Sequence, residues 1–423
     1  MTRSAFSLPS SRLVRIFTLL LFLGVTAARA QRAAVPDYEL PPVNYSKATS
    51  ENSVTRLQRR LETGELSFKE NGKELLLAVL RALRVPVETQ TLVFTKTSLQ
   101  KALISPATPR ALYFSESVYV GWVPGGDIEV AVIDPQLGPV FYRFNANTSA
   151  TEPRGFVRDA SCMLCHGYFF VRDVPVLLAL TGIPGADGEL LPRTDFDLVD
   201  DAIRFEKRWG GWYVSGYTGQ PNHRGNAVGS GEGKAAVLPA SEKRPAELSE
   251  FFDTSRYPAG TSDMAGLLIL EHQMAMYNSI TRVGQNVRLG KYASESDVVD
   301  HLLFRRGAVL PEGVVKNEAF LKVFLADAKR DRAGDSLKDL RLDGRIFKNR
   351  CSYLIYSEAF AALPEPMKEQ IYEVLYVALR DTDSAGRYAY LESDEKQRIY
   401  DILMETHPEA RRHFEQTAAR RRL

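Results

Sequence analysis

Residues 111–144 read ALYFSESVYVGWVPGGDIEVAVIDPQLGPVFYRF, and the fold of the first half of the chain turns on them. Apolar runs at Tyr113-Phe114, Val118 to Val123, Ile128 to Asp134 and Val140 to Phe144 are separated by polar joints. Pro124-Gly125-Gly126-Asp127 and Asp134-Pro135-Gln136-Leu137-Gly138 can reverse the chain, because glycine reaches positive φ without steric cost. The pattern predicts an antiparallel meander of three or four strands.

Upstream, polar sequence from Val35 to Asn52 carries Pro36, Pro41 and Pro42 and reads as an extended leader over the surface. Leu75, Leu76, Leu77, Val79, Leu80 and Leu83 then gather before Val85-Pro86. They predict a helix that stops at the proline, which has no N–H to give to the ladder. Beyond Thr261 the chain turns helical. Ser262 or Asp263 caps a helix running to about Leu289, with Leu268, His272, Met276, Ile280, Val283 and Val287 on one buried face. Further helices start near Ser294 and Pro366. The second of these carries Ile371, Val374, Leu375, Ala378 and Leu379 on one side, and a last amphipathic helix carries Ile399, Ile402 and Leu403. The expected class is α+β: an N-terminal antiparallel meander, a loop-rich segment, and a helical C-terminal half. The expected divisions are a leader and helical segment over 31–110, a meander with a cofactor region over 111–261, and a helical domain over 262–423.

Immediately after the meander stands Cys162-Met163-Leu164-Cys165-His166. Two thiols about one helical turn apart can reach the two vinyl groups of a porphyrin, with the adjacent imidazole aimed at the iron. A redox dithiol shares the Cys-x-x-Cys spacing, but it should follow a hydrophobic strand within a βαβ pattern, and polar loop precedes this run. Structural zinc wants four ligands, and no second pair stands at workable spacing. The expected cofactor is therefore one covalent haem c per chain, bound through Cys162, Cys165 and His166.

The other face of the iron decides between electron transfer and ligand chemistry. No methionine occurs between Met163 and Met264, so histidines are the first candidates. His223, in Gly219-Gln220-Pro221-Asn222-His223-Arg224-Gly225-Asn226, is the expected distal ligand because turn residues can present it rigidly. His272, desolvated on its helix stripe, is the reserve, while Met274 and Met276 read as core. His223-Arg224 also loosely resembles the distal pair of peroxidases. An open distal face would make the protein a peroxidase or small-substrate oxidoreductase, the alternative to a carrier. Gly229-Ser230-Gly231-Glu232-Gly233-Lys234 fails as a phosphate loop, since Val228 replaces the first glycine and Ala235 the Ser or Thr.

At 423 residues, 44% hydrophobic and 25% charged, the composition excludes wholesale disorder and a polytopic membrane protein. Arg3, Arg12 and Arg15 precede the apolar run Ile16 to Val25, and Ala28-Arg29-Ala30 follows, which predicts a secretory signal peptide over 1–30. Its apolar run is too short to span a bilayer. Removing it takes away four arginines and no acid, so the formal charge changes from +2 to −2. The remaining chain lacks a basic, aromatic-interleaved stretch, so no nucleic acid is expected, and Arg420 to Arg422 read as a solvated helix end. The expected setting is periplasmic and soluble, with a redox protein as partner. Cys351 is left without an intrachain mate and reads as a buried apolar residue beside Ser352-Tyr353-Leu354-Ile355-Tyr356.

These features together resemble a family of exported, haem c-containing proteins of Planctomycetes and related bacteria, to which no activity is assigned. The resemblance runs from about Leu92 to Leu403. It rests on Ser105-Pro106 with Pro109-Arg110-Ala111, Val118-Tyr119-Val120-Gly121, the Cys162–His166 run, Arg208-Trp209-Gly210-Gly211-Trp212-Tyr213, Asn222 to Asn226, Leu270-Glu271-His272-Gln273 and Cys351 to Tyr356. The family pattern places further histidines just upstream of His223 and near Tyr277, where this chain has Tyr217 and Tyr277. The resemblance implies a haem and an export route, and no substrate.

Overall fold

In the computed structural model, which describes residues 35–145, 154–169, 174–220, 222–239, 245–380 and 386–421, the meander is the middle of a larger sheet. The expected signal peptide, 1–30, lies outside the described residues. Strand β1 (Thr91–Val93) precedes the meander β2 (Arg110–Phe114), β3 (Val118–Trp122), β4 (Ile128–Asp134) and β5 (Gly138–Phe144), and β6 (Phe156–Arg158) follows it. After the small pair β7 (Leu180–Thr181) and β8 (Asp197–Leu198), β9 (Trp212–Tyr213) returns to the far edge. The order is β6-β5-β4-β3-β2-β1-β9, antiparallel at every pair. Both predicted turns are present: Gly125 and Gly138 take positive φ, and Asp134 Oδ1 accepts from the Gln136 and Leu137 amides. Three-residue and two-residue strands such as β1, β6 and β9 are too short to show alternation, which is why the sequence yields only the middle four.

The alternation within each strand divides two cores. Tyr113, Val118, Val120, Val130, Val132, Val140 and Tyr142 face one core with the helices α1 (Ser53–Glu62) and α2 (Gly72–Leu83). Phe114, Tyr119, Ile133 and Phe141 face the other, which is built around the long α3 (Met264–Arg288). The result is a three-layer arrangement, with the sheet between an N-terminal helical layer and a C-terminal one.

Several expectations change in detail. The leader is not a loose strap: Tyr38, Val43 and Tyr45 are buried, and the Tyr45 hydroxyl donates to the Pro139 carbonyl at 2.7 Å. Helix α1 escapes a pattern reading because few apolar residues mark it. A capping box at its start, Asn52 with Thr55, is its clearest signal. Helix α2 ends at Leu83 rather than at Pro86, because Arg84 takes a left-handed φ of 57°. Helix α3 is buried on every side from Met264 to Tyr277, so its stripe understates its depth. Then come α4 (Glu295–Leu302), α5 (Glu318–Phe324), the hairpin β10 (Leu340–Asp343) and β11 (Arg345–Phe347), and α6 (Glu358–Ala361). Helices α7 (Glu365–Arg380) and α8 (Ser393–Thr406) match the last two expected, but α9 (Pro408–Arg420) follows them. Cys351 is fully buried ahead of a 3-10 turn at Tyr353–Tyr356.

Candidate functional site

From β6 the chain enters a 3-10 turn at Ala160–Cys162, capped by the Asp159 side chain, which accepts from the Ser161 amide at 2.9 Å. Arg143 on β5 holds the same Asp159 carboxylate at 3.1 Å. A wide π-helical turn, Leu164–Phe169, carries Cys165 and His166, and turns of this kind are frequent at functional sites. The cap and the Arg143 anchor together hold the start of the Cys162–His166 run beside β5.

Cys162, Cys165 and His166 line one cavity of about 160 Å³. Its floor is the α3-facing side of the sheet, with Leu112, Tyr119, Gly121, Ala131 and Phe141. Leu177, Leu178, Leu180, Trp212 and Met274 close it from the other side. Most of this lining is apolar; its charged pair is Arg110 with Glu129, each about one-fifth exposed. Gly121 makes that pair possible, since a Cβ there would lie 2.1 Å from an Arg110 guanidinium nitrogen. Phe141 packs against the His166 ring at a centroid distance of 4.4 Å.

His166 Nδ1 lies 2.8 Å from the Val176 carbonyl oxygen. A carbonyl only accepts, so Nδ1 carries the proton and Nε2 keeps its lone pair, with no hydrogen bond to it among the described residues. Burial pushes the imidazole down to about 4, although the Val176 carbonyl opposes the shift. The ring is therefore neutral at ordinary pH. Burial likewise pushes the Cys162 thiol up to about 12, with the charges of Asp159 and Glu129 adding to it. Neither cysteine is in a disulfide.

The two histidines expected on the other side of an iron stand elsewhere. His223 is 8% exposed, its ring enclosed by Phe205, Trp209 and Tyr217 at 5.4–5.9 Å, with Nδ1 accepting from the Gly225 amide at 3.0 Å. It lines a separate cavity with Ile183, Glu206, Asn222, Arg224, Leu238 and Pro239, none of which touches the cysteine cavity. His272 is fully buried and uses both nitrogens: Nδ1 lies 3.2 Å from each Asp201 carboxylate oxygen, and Nε2 lies 2.8 Å from the Ser352 hydroxyl oxygen. The fold thus gathers Cys162, Cys165 and His166 and leaves His223 and His272 outside their cavity.

A sequence reading misses the residues that close the cavity. Leu177, Leu178 and Leu180 sit in a stretch without clean periodicity, and Met274 looks like any apolar residue of a buried helix. Two hydrogen bonds join the motif to that wall, His166 Nδ1 with the Val176 carbonyl oxygen at 2.8 Å and the Val176 amide donating to the His166 carbonyl at 2.9 Å, and neither has a sequence signal. Gly210 and Gly211 are a different case, because adjacent glycines are themselves a sequence signal of close backbone approach. A Cβ at Gly210 would fall 1.9 Å from the Gly182 carbonyl oxygen, and Gly211 takes φ +91° against Thr95. Against known protein families, curated proteins and solved structures, the chain finds no match.

Proposed function

We propose that the protein is an exported monohaem c-type cytochrome that transfers one electron at a time to or from a periplasmic partner protein. The observation that carries this reading is the convergence of Cys162, Cys165 and His166 on one mostly apolar cavity, with His166 Nδ1 donating to the Val176 carbonyl and no hydrogen bond to Nε2 among the described residues. A histidine that donates its far N–H to a carbonyl is fixed in tautomer and made a better metal donor. Cys162 and Cys165 would form the thioethers and His166 the proximal bond. Arg110 is the cation suited to a propionate. The haem, when bound, supplies the one-electron couple.

The donor set fits this group better than its rivals. An attacking dithiol needs a lowered thiol pKa, whereas burial raises that of Cys162. For a bound ion, the one suitable side-chain group among the described residues is Glu365, Glu409 and His413, and the Lys368 ammonium already bridges those two carboxylates. In size the fit demands movement. A cavity of about 160 Å³ is below the ~300–1,000 Å³ of ordinary ligand pockets, so the site must widen to admit a macrocycle. No helix among the described residues is long and apolar enough to cross a membrane, and export rests on the reading of residues 1–30.

Expression in a host that attaches haem c in its periplasm tests the reading. Wild-type protein should hold haem through denaturation and acid extraction and titrate reversibly as a one-electron couple. The double variant Cys162→Ala, Cys165→Ala should hold none covalently. Extractable haem, or none, in the wild type would overturn it.

A further inference from the structure

Helix α3 reaches the candidate site twice, one turn apart. Met274 lines the cavity with His166, and Asn278 grips the wall behind it: Asn278 Oδ1 accepts from the Leu177 amide at 2.8 Å, and Nδ2 donates to the Leu177 carbonyl at 2.8 Å. Leu177 directly follows Val176, whose carbonyl accepts from His166 Nδ1. Residues four apart on a helix share a face, so a single face of α3 touches both the cavity and the support of the proximal imidazole.

We infer that this face of α3 completes the iron site, with the Met274 thioether as the sixth ligand and Asn278 as a positioning residue that fixes the Val176 carbonyl under His166. The inference rests on the haem reading above and deepens it. Met274 is 6% exposed, and its sulfur makes no hydrogen bond among the described residues. The other lining groups able to ligate are engaged. The Tyr119 hydroxyl donates to Gln273 at 3.0 Å, and Glu129 pairs with Arg110. The Tyr142 side chain belongs to the opposite core, where its hydroxyl accepts from Asn52 at 2.8 Å. His272 has both nitrogens in hydrogen bonds, and His223 lines another cavity. A thioether is weakly polar, so it packs in apolar surroundings without the desolvation cost that a charged or strongly hydrogen-bonding ligand brings.

The two residues make opposite predictions for the reduction potential. Methionine ligation raises it relative to other axial partners, so Met274→Leu, which nearly conserves volume, should lower it. That variant should also lose the sulfur-to-iron charge-transfer band of the ferric protein, become high spin, and bind carbon monoxide in the ferrous state. Asn278→Ala frees Leu177, loosens the Nδ1–H···O=C bond and makes His166 a poorer donor. It should raise the potential while leaving the sulfur band in place. If Asn278→Ala does not fold, Asn278→Ser, too short to span both Leu177 groups, should shift the potential in the same direction.

Covalent haem is assayed in each holoprotein beside the spectra, so the two levels fail separately. A wild-type chain without attached haem sinks the cytochrome reading. Attached haem with no sulfur band, or a Met274→Leu spectrum that stays low spin, overturns the sixth-ligand assignment. Conversion to high spin by His223→Ala alone would return that role to His223. An unchanged potential in both Asn278 variants overturns the positioning role.

Discussion

Gly210 shows how a single residue can hold the two halves of the loop-rich region together. Its Cα lies so close to the Gly182 backbone that any Cβ would meet the carbonyl oxygen at 1.9 Å. The amide of Gly210 meanwhile donates to the Thr181 hydroxyl at 2.9 Å, and its carbonyl accepts from the Gly182 amide at 3.3 Å. The atoms that Cβ would meet all belong to the Gly182 backbone, so the clash cannot be relieved by a rotamer change. Gly210→Ala should destabilise the fold by about 1–3 kcal/mol or more, the range of overpacking with backbone displacement. Urea unfolding of the variant measures this, and a loss below about 0.5 kcal/mol would show that the two segments separate easily.

At the scale of the element, α3 depends on Asp263 at its start. One carboxylate oxygen accepts from the Gly266 amide at 3.1 Å, and the other accepts from Asn317 Nδ2 at 3.3 Å. Asn317 in turn caps α5 through the Ala319 and Phe320 amides. The cap of one helix therefore orients the cap of another. Asp263→Ala should cost about 0.5–2 kcal/mol, in the upper part of that range because Asn317 loses its partner. The denaturation midpoint should fall with the slope unchanged, and a midpoint equal to wild type would mean that neither cap matters. This cap was legible in the sequence, as were the four long strands and the helices α4, α7 and α8, because each has a local signal of period, turn or cap. The short strands β1, β6 and β9 were not, since their pairing is set by partners far along the chain. Nor was α1, which owes its place to Asn52 donating to Ser50 and to Tyr142 across the core.

The whole molecule is tied together around Asp201, which collects one imidazole from α3 and one from α4. His272 Nδ1 lies at 3.2 Å from each of its oxygens and His301 Nδ1 at 3.5 Å from one, while the Asp201 carbonyl accepts from Arg208 and from Ala308. The cavity of about 340 Å³ beside this cluster is walled by Val176 to Ala179, the same segment that supports His166. A sequence cannot disclose such a hub: Asp201 lies 71 residues before His272, and nothing in the pattern around His272 signals that Asp201 and Ser352 occupy its two nitrogens.

Titration makes the hub testable. Burial alone would raise the Asp201 carboxyl, but the charges and hydrogen bonds of His272 and His301 outweigh it and hold the group well below its ordinary 3.8. Burial would lower His301, but Asp201, with Asp200 and Asp300 behind it, raises it above 6.5. A raised His301 stabilises the fold fully below pH 6.5, and that contribution is lost as pH climbs through the raised value. The lowered Asp201 contributes above pH 3.8, and its share is lost as pH falls towards its folded value. Wild-type Tm should accordingly decline on both sides of a weakly acidic optimum. Asp201→Asn removes the charge both imidazoles lean on, which should cost roughly 3 kcal/mol, the low end for breaking a buried pair, because His301 is about one-third exposed. In that variant the decline between neutral and mildly alkaline pH should flatten. An alkaline slope identical to that of wild type would show that His301 does not titrate against Asp201.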